Sequence, residues 1–162
     1  MTYSIWLEPT SQDAQYLKKI ILSLAKKHNA PVYEPHITIY SKIPTLRLAI
    51  RALKQCTHVA KIKTQSTNIK SSNDLWKTIF INVRKNADML RLNQMIKNIV
   101  GHSVEYDFNP HISLIYKTLD DDTKRQIIKG LKIKCVFAFD KISIVKSSRD
   151  VSQWKKIMTI TL

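Results

Sequence analysis

The sequence is poor in the residues that usually separate domains. Its 162 residues include only two glycines and five prolines, and no Ser/Gly-rich or Pro-rich stretch has the composition of an interdomain linker. A chain of this length can bury a hydrophobic core without disulfides or structural metals. The sequence therefore predicts one domain over residues 1–162.

Cysteines and long apolar runs are scarce as well. Cys56 and Cys135 form no C-x-x-C pair and have no regularly spaced histidines beside them, which excludes the usual zinc and redox motifs. We expect both thiols to be reduced and buried. No apolar run approaches the roughly 20 residues of a membrane-spanning helix, and the N-terminus lacks the pattern of a secretory signal. We therefore expect a soluble, monomeric, cytoplasmic protein without a membrane partner.

Acidic residues are few, and basic ones are many. The 12 acidic and 27 basic residues give a formal net charge of +15, and such a field attracts phosphate-rich ligands. Lysines outnumber arginines by 21 to 6, however, and a biased genome composition explains that excess equally well. The clustered arginines and aromatic-basic motifs of dedicated nucleic-acid binders are missing. Charge thus favours a phosphate-bearing partner without identifying it.

Apolar periodicity predicts alternating strands and helices. The predicted strands are 3–8, 36–40, 59–71, 77–84, 111–116, 134–139, 141–146 and 156–161, and the predicted helices are 12–29, 45–56, a stripe from Met89 to Ile99, and 120–129. Each half of the chain gives a helix, then a strand that begins with Pro-His, then another helix. This order predicts an α+β fold built from two related lobes.

One short motif occurs twice. The sequence Pro-His-Ile-Thr at 35–38 recurs as Pro-His-Ile-Ser at 110–113. Because side chains alternate across a strand, each histidine shares a face with the hydroxyl two residues later, about 6–7 Å away. One such string alone is typical of an ordinary strand. Two of them, at matching places in similar halves, indicate a common site.

Two imidazoles and two hydroxyls suit the cleavage of a phosphodiester. A neutral histidine can take a proton from water or a ribose hydroxyl, while an imidazolium protonates the departing oxygen. Hydroxyls can hydrogen-bond the non-bridging phosphate oxygens. We predict His36, Thr38, His111 and Ser113 as catalytic residues, with no cofactor. The two histidines could instead begin a metal site, but no neighbouring carboxylate or cysteine completes it, so we predict no metal.

These motifs resemble those of the two-histidine phosphoesterase superfamily, which is defined by paired His-x-Thr/Ser motifs on strands of two pseudo-symmetric lobes. The chain is most similar to the cyclic nucleotide phosphodiesterases that act on ADP-ribose cyclic phosphate and nucleoside 2′,3′-cyclic phosphates. Residues 3–6, residues 110–116 and the terminal strands with Trp154 add to the likeness. The resemblance implies antiparallel sheets that form a central cleft, with the helices outside.

The resemblance also implies roles for single residues. Trp6 and Tyr116 match aromatic positions that line the cleft and contact the nucleotide or phosphate, although without the resemblance each is more typical of a core aromatic. The second-motif histidine, His111, corresponds to the group that activates water. His36 corresponds to the group that protonates the leaving oxygen.

Three further residues complete the predicted substrate contacts. Tyr40 and Lys117 adjoin the motifs. Trp76 lies in a stretch, residues 75–78, whose sequence differs from that of the relatives. The other histidines, His28, His58 and His102, have no partner motif.

The predicted function is hydrolysis of a nucleotide cyclic phosphodiester to a phosphomonoester, and the predicted partner is a nucleotide or short oligonucleotide, RNA included. Two alternatives stay open. One is a phosphodiesterase of the same fold that acts on 2′,5′-oligoadenylate, a cyclic dinucleotide or an RNA end. The other is a nucleotide- or RNA-binding module without turnover.

Overall fold

The computed structural model describes residues 2–101 and 105–162. In chain order the elements of these residues are β1 (Thr2–Pro9), α1 (Ser11–His28), β2 (Ile37–Ile43), α2 (Leu46–Lys54), β3 (Ile62–Ser71), a 3₁₀ turn (Leu75–Lys77), β4 (Ile79–Val83), α3 (Ala87–Val100), β5 (His111–Ile115), α4 (Asp121–Gly130), β6 (Val136–Ser147), a second 3₁₀ turn (Val151–Gln153) and β7 (Lys155–Thr161).

The strands form one antiparallel sheet in the order β2-β1-β6-β3-β4-β5, with β7 also paired to β6. The long strand β3 pairs with β6 through residues 62–65 and with β4 through residues 66–71. It therefore joins two half-sheets, and each half-sheet ends at a strand that carries one of the repeated motifs. These two strands, β2 and β5, contact each other. The predicted α+β fold of two antiparallel lobes is confirmed.

Two helices cross between the lobes. Helix α1 follows β1 yet packs on β5, while α3 follows β4 yet packs on β2. Their buried stripes have the spacing of an amphipathic helix; they are Leu17, Ile21 and Leu24 in α1 and Met89, Leu92, Ile96 and Val100 in α3. The exchange gives each histidine strand a helical support from the other lobe. That residues 1–162 form one domain stays a prediction.

Among the described residues, no helix is both long enough and apolar enough to cross a bilayer.

Several sequence-based expectations differ from the structure. Strand β6 runs unbroken through Asp140 and Lys141 because Phe139 and Lys141 both pair with β1, whereas the sequence suggested two strands. Cys56 is buried as expected, but Cys135 is exposed. His102 lies outside the described residues.

Strand β2 contains two extra residues relative to β1. Trp6 pairs with Thr38, Ile5 with Tyr40, and Tyr3 with Ile43, so the register shifts twice, as in β-bulges. Lys42, in the second shift, has φ of 61°, a left-handed conformation that costs a non-glycine residue about 1–2 kcal/mol. The shifts change which side chains face the core and which face the cleft.

Candidate active site

A cleft of about 720 Å³ contains the two repeated motifs. All four predicted catalytic residues line it, as do three of the predicted substrate contacts: His36, Thr38, His111, Ser113, Trp6, Trp76 and Tyr116. Its volume lies within the range of roughly 300–1,000 Å³ that is typical of small-ligand pockets. The structure thus brings together residues that are far apart in the sequence.

Both histidines are anchored by the same hydrogen bond. His36 Nδ1 lies 2.7 Å from the Glu34 carbonyl oxygen, and His111 Nδ1 lies 2.7 Å from the Asn109 carbonyl oxygen. A carbonyl only accepts, so Nδ1 is the protonated nitrogen in each ring, and Nε2 can exchange a proton with a ligand. The proline between each carbonyl and its histidine favours this arrangement, because it restricts the preceding residue to extended conformations.

His36 is enclosed by aromatic rings. The Trp6 indole stacks on the imidazole, with centroids 3.5 Å apart and planes within 4°, and the side chain is almost fully buried. The pKa of His36 is lowered from 6.5 to about 3, mainly because the ring is buried. Nearby His111 and Lys156 contribute to the decrease, while the bond to the Glu34 carbonyl opposes it. His36 is therefore neutral at neutral pH.

His111 has a less enclosed setting. The edge of the Phe80 ring meets it with centroids 5.3 Å apart, and the side chain is half-buried. Burial lowers the pKa of His111 below 6.5, and Lys77 adds to the decrease, whereas the Asn109 hydrogen bond and Asp74 act in the opposite direction. Of the two histidines, His111 holds a proton more readily.

The two hydroxyls are not equivalent. Thr38 is partly exposed to the cleft, and its backbone carbonyl accepts a hydrogen bond of 3.2 Å from the Tyr106 hydroxyl. Ser113 is buried, and its Oγ donates to the Trp76 carbonyl at 2.8 Å. The Ser113 hydroxyl must therefore release the Trp76 carbonyl before it can donate to a phosphate oxygen.

An aromatic cluster forms one wall of the cleft. Trp154 lies at its centre, with ring centroids 5.4 Å from Trp6, 5.6 Å from Trp76 and 5.7 Å from Tyr116. Its Nε1 donates to the Ser148 carbonyl at 2.8 Å. Trp154 was not among the predicted substrate contacts, yet it lines the cleft. Tyr33, which stacks on Tyr116 with centroids 3.9 Å apart, carried no sequence signal.

Two predicted substrate contacts do not face the cleft. Tyr40 is fully buried beside the Tyr106 ring, whose centroid is 5.3 Å away, because the first bulge of β2 turns it into the core. Lys117 follows the end of β5 at Ile115 and is not part of the cleft lining. Because β5 ends two residues earlier, strand alternation does not direct Lys117 to the face that carries His111.

Charges along the cleft are balanced. The lining includes three basic residues, Lys42, Lys77 and Arg149, and three acidic residues, Asp74, Glu105 and Asp107. None of these was singled out from the sequence. The formal net charge of +15 therefore lies outside the cleft lining.

Within residues 2–101 and 105–162, no three histidine, cysteine or carboxylate side chains gather as a metal-ligand set.

A family model described as cyclic phosphodiesterase-like protein matches residues 1–162. The chain belongs to the cyclic phosphodiesterase-like family. The resemblance to the two-histidine phosphoesterases is thereby confirmed, and the enzyme class is that of a phosphodiesterase.

Individual relatives of this family member are distant in sequence. A protein of Arabidopsis thaliana named cyclic phosphodiesterase is 22% identical over 125 residues, which cover 76% of this chain and 69% of the relative. The solved structure of apo LigT from E. coli has a TM-score of 0.63 at 11% identity and covers 98% of this chain and 95% of its own. A structure from Thermus thermophilus reaches 0.68 at 11%, with coverages of 100% and 98%. At such identities the structural likeness shows the fold.

Proposed function

We propose that this phosphodiesterase hydrolyses a cyclic phosphodiester on a nucleotide, a 2′,3′-cyclic phosphate or an ADP-ribose 1″,2″-cyclic phosphate, to a phosphomonoester. The observation that carries the proposal is the pair of imidazoles, each anchored through Nδ1 and each beside a hydroxyl, in one cleft. The name of the Arabidopsis relative supports it. So does a LigT structure of the same fold that holds 3′-AMP, a phosphomonoester of the kind that ring opening produces; its TM-score is 0.63 at 12% identity, with coverages of 99% and 96%.

In the proposed reaction, the neutral Nε2 of one histidine removes a proton from water as the oxygen attacks phosphorus in line. The bond from phosphorus to one ribose oxygen breaks, and the imidazolium of the other histidine protonates that oxygen. The product is a phosphomonoester with a free ribose hydroxyl. Thr38 and Ser113 donate to non-bridging oxygens, where charge builds up in the transition state.

The pKa directions favour one assignment of roles. His36, whose pKa is lowered to about 3, suits the base that must be neutral. His111, beside Asp74 and with a pKa that is less strongly lowered, suits the acid. A bound phosphate anion raises both pKa values, because opposite charge favours the imidazolium. This assignment reverses the roles that the family resemblance implies.

A linear substrate is the second candidate. The positive charge outside the cleft favours a polyanion such as 2′,5′-oligoadenylate or an RNA end, because long polyanions gain most from many basic contacts. Cyclic dinucleotides belong to the same group of alternatives. The monomeric state and the cytoplasmic location stay predictions.

A substrate panel read by product mass tests the proposal. It contains nucleoside 2′,3′-cyclic phosphates, ADP-ribose 1″,2″-cyclic phosphate, 2′,5′-oligoadenylate and a cyclic dinucleotide. We expect the mononucleoside or ADP-ribose cyclic phosphates to gain the mass of one water, and the His36→Ala protein to form this product at a strongly reduced rate. Turnover of the linear substrates or cyclic dinucleotide alone would overturn the proposal in favour of the second candidate.

A further inference from the structure

One end of the cleft, beyond Trp6, is built from hydroxyl side chains of three adjacent strands. Ser4 of β1 lies between Ser41 of β2 and Ser147 of β6, with Oγ–Oγ distances of 3.0 and 3.3 Å. All three serines line the cleft, and Ser4 is only 4% exposed. We refer to Ser4, Ser41 and Ser147 as the serine row. It offers hydrogen-bond donors to a ligand at this end.

The serine row can donate a proton to a ligand when the Ser4–Ser147 hydrogen bond is released. Ser147 Oγ donates to the Thr2 carbonyl at 3.4 Å. Each hydroxyl carries one proton, and either member of the Ser4–Ser41 pair can donate. When Ser4 donates to Ser41, the Ser41 proton points to no other serine and can be given to an acceptor in the cleft.

Lys42 joins the serine row because of the second bulge in β2. In a regular strand, Ser41 and Lys42 would face opposite sides of the sheet. Here both line the cleft, and Lys42 has φ of 61°. Such a conformation in a non-glycine residue is often associated with function. The bulge thus brings Lys42, next in sequence to Ser41, into the same cleft lining as the hydroxyls.

Arg149 lines the same cleft from the segment that follows β6. This segment is held by the Trp154 Nε1 bond to the Ser148 carbonyl, 2.8 Å, and by the Ser148 hydroxyl bond to the Asp150 carbonyl, 2.9 Å. Ser147, at the end of β6, pairs with Thr2. Arg149, two residues after Ser147, is thereby held in the cleft lining near the end of β6.

The serine row lies one two-residue strand repeat from Trp6 and its partner Thr38. Trp6 pairs with Thr38, and Ser4 is two residues away on the same face of β1, a spacing of about 7 Å. A substrate with two phosphates can therefore reach both places. In a nucleoside 2′,3′-cyclic phosphate the ring occupies the 2′ and 3′ oxygens, so a further phosphate is carried by the 5′ oxygen.

We propose that Lys42, Arg149 and the serine row bind a second phosphate of the substrate, attached to the 5′ oxygen of the ribose that carries the cyclic phosphate. This inference rests on the proposed function and narrows its substrate class. Charged donors and hydroxyls are the groups that bind phosphate oxygens. Glu105 and Asp107 also line the cleft, so binding depends on direct contact with the two cations rather than on the overall charge of the cleft.

The test compares kcat/KM for adenosine 2′,3′-cyclic phosphate with two substrates that add a 5′ phosphate. One has a terminal 5′-phosphate, and the other is a dinucleotide whose 5′ phosphate is a diester. The variant is Lys42→Gly, which removes the ammonium and suits a left-handed position. Lys42→Arg retains the charge. Lys61→Gly, an exposed residue outside the cleft lining, is the control for the loss of one positive charge.

We expect at least one 5′-phosphorylated substrate to exceed the unphosphorylated nucleoside by about tenfold in kcat/KM, as a charge-assisted hydrogen bond allows. Which of the two substrates has the higher kcat/KM shows whether the site binds a terminal phosphate or a phosphodiester. Lys42→Gly should reduce the gain severalfold, and Lys42→Arg and Lys61→Gly should retain it. A wild-type ratio near one, or an unchanged ratio in Lys42→Gly, would refute the second-phosphate site while hydrolysis of the plain nucleoside still supports the proposed function.

Binding of products gives a readout that does not need turnover. Calorimetry with adenosine 3′-phosphate and adenosine 3′,5′-bisphosphate should show the same preference for the 5′ phosphate, reduced in Lys42→Gly. Where the terminal 5′-phosphate raises kcat/KM, equal affinities for the two ligands in the wild-type protein would refute the site. Where only the 5′-diester raises kcat/KM, the dinucleotide with a 3′-phosphate replaces the bisphosphate, and equal affinities in that comparison would refute the site.

Discussion

At His36, an indole replaces water on one face of the imidazole. The 3.5 Å stacking on Trp6 and the near-complete burial of Trp6 indicate that Trp6 acts on the histidine more than on a substrate base. Stacking fixes the plane of the ring, and desolvation disfavours the imidazolium. We therefore regard Trp6 as a positioning residue.

Trp6→Leu should raise the pKa of His36 from about 3 towards 6.5, because water regains access to the ring. An NMR titration of the imidazole signals measures this pKa directly. Trp76→Phe is the matched control, since the ring contacts of Trp76 are with Tyr116 and Trp154. An unchanged His36 pKa in Trp6→Leu would show that the stacking does not cause the shift.

The two possible assignments of acid and base to His36 and His111 predict opposite pH dependences for the residual kcat/KM of a variant that lacks one histidine. If His36 is the base, the residual kcat/KM of His36→Ala depends on protonated His111 and should fall as pH rises through the pKa of His111, which lies below 6.5. If His111 is the base, the residual rate should instead rise with pH in this range. A pH–rate profile of the variant therefore decides between the two assignments.

Residue patterns placed both His-x-Thr/Ser motifs in one site because, in a strand, residues two apart share a face, and all four side chains line the cleft. The same rule failed at Tyr40, since the first bulge in β2 shifts the alternation of side chains between the pair Trp6–Thr38 and the pair Ile5–Tyr40. The aromatic wall at Trp154 depends on a contact between β1 and the segment after β6, and no local pattern contains such a contact.

At the scale of elements, the segment between β3 and β4 connects helix α4 with the candidate active site. It carries Trp76, whose carbonyl holds Ser113. Lys124 of α4 is 4% exposed, and its Nζ bonds Asn73 Oδ1 at 2.9 Å and the Ser72 carbonyl at 3.4 Å. Helix α4 therefore helps to position the turn that bears Trp76.

Lys124→Met should destabilise the fold by roughly 1–3 kcal/mol, because the partners of the ammonium lose their hydrogen bonds. It should also lower kcat at temperatures where the protein is fully folded, since the turn that carries Trp76 is held less firmly in the cleft wall. Denaturant unfolding and steady-state kinetics measure the two effects. Lys129→Met, an exposed residue of the same helix, should change neither; equal effects of both substitutions would contradict the role of Lys124.

Helices were predicted correctly where the periodicity of apolar residues is strong. The stripes of α1 and α3 follow the helical spacing of a buried face, and the structure buries them. The break expected at Asp140 was wrong. The register with β1 shifts at this residue, but Phe139 and Lys141 still pair with β1, and Leu162 donates to the Asp140 carbonyl at 2.8 Å. Pairing across distant strands outweighs the turn preference of a single aspartate.

At the scale of the whole molecule, the net charge and the cleft are separate features. The chain carries +15, but the basic and acidic residues of the cleft lining are equal in number. Composition determines the total charge and leaves its distribution open. The order of the strands and the packing of α1 and α3 on the opposite lobes depend on contacts between residues far apart in the sequence. Composition and local patterns do not contain these contacts.

Hydrolysis of an unphosphorylated nucleoside 2′,3′-cyclic phosphate should therefore depend only weakly on salt, changing less than about twofold between about 50 and 200 mM. Binding of a long oligonucleotide to the outer surface should fall at least about tenfold over the same range, because counterions compete at each phosphate contact. Steady-state kinetics and fluorescence anisotropy provide the two curves. Equally steep curves would indicate that the outer charge drives turnover.

The proposed mechanism requires His36 and His111 to act on one phosphate in one cleft. Single-turnover hydrolysis of a nucleoside 2′,3′-cyclic phosphate tests this requirement, with the wild-type protein, with and without EDTA, beside His36→Gln and His111→Gln, and with circular dichroism to verify folding. We expect each substitution to lower the rate by about 10²-fold or more in a folded protein, and EDTA to have little effect. Activity that survives either substitution, or that is lost to EDTA and restored by zinc, would contradict the mechanism.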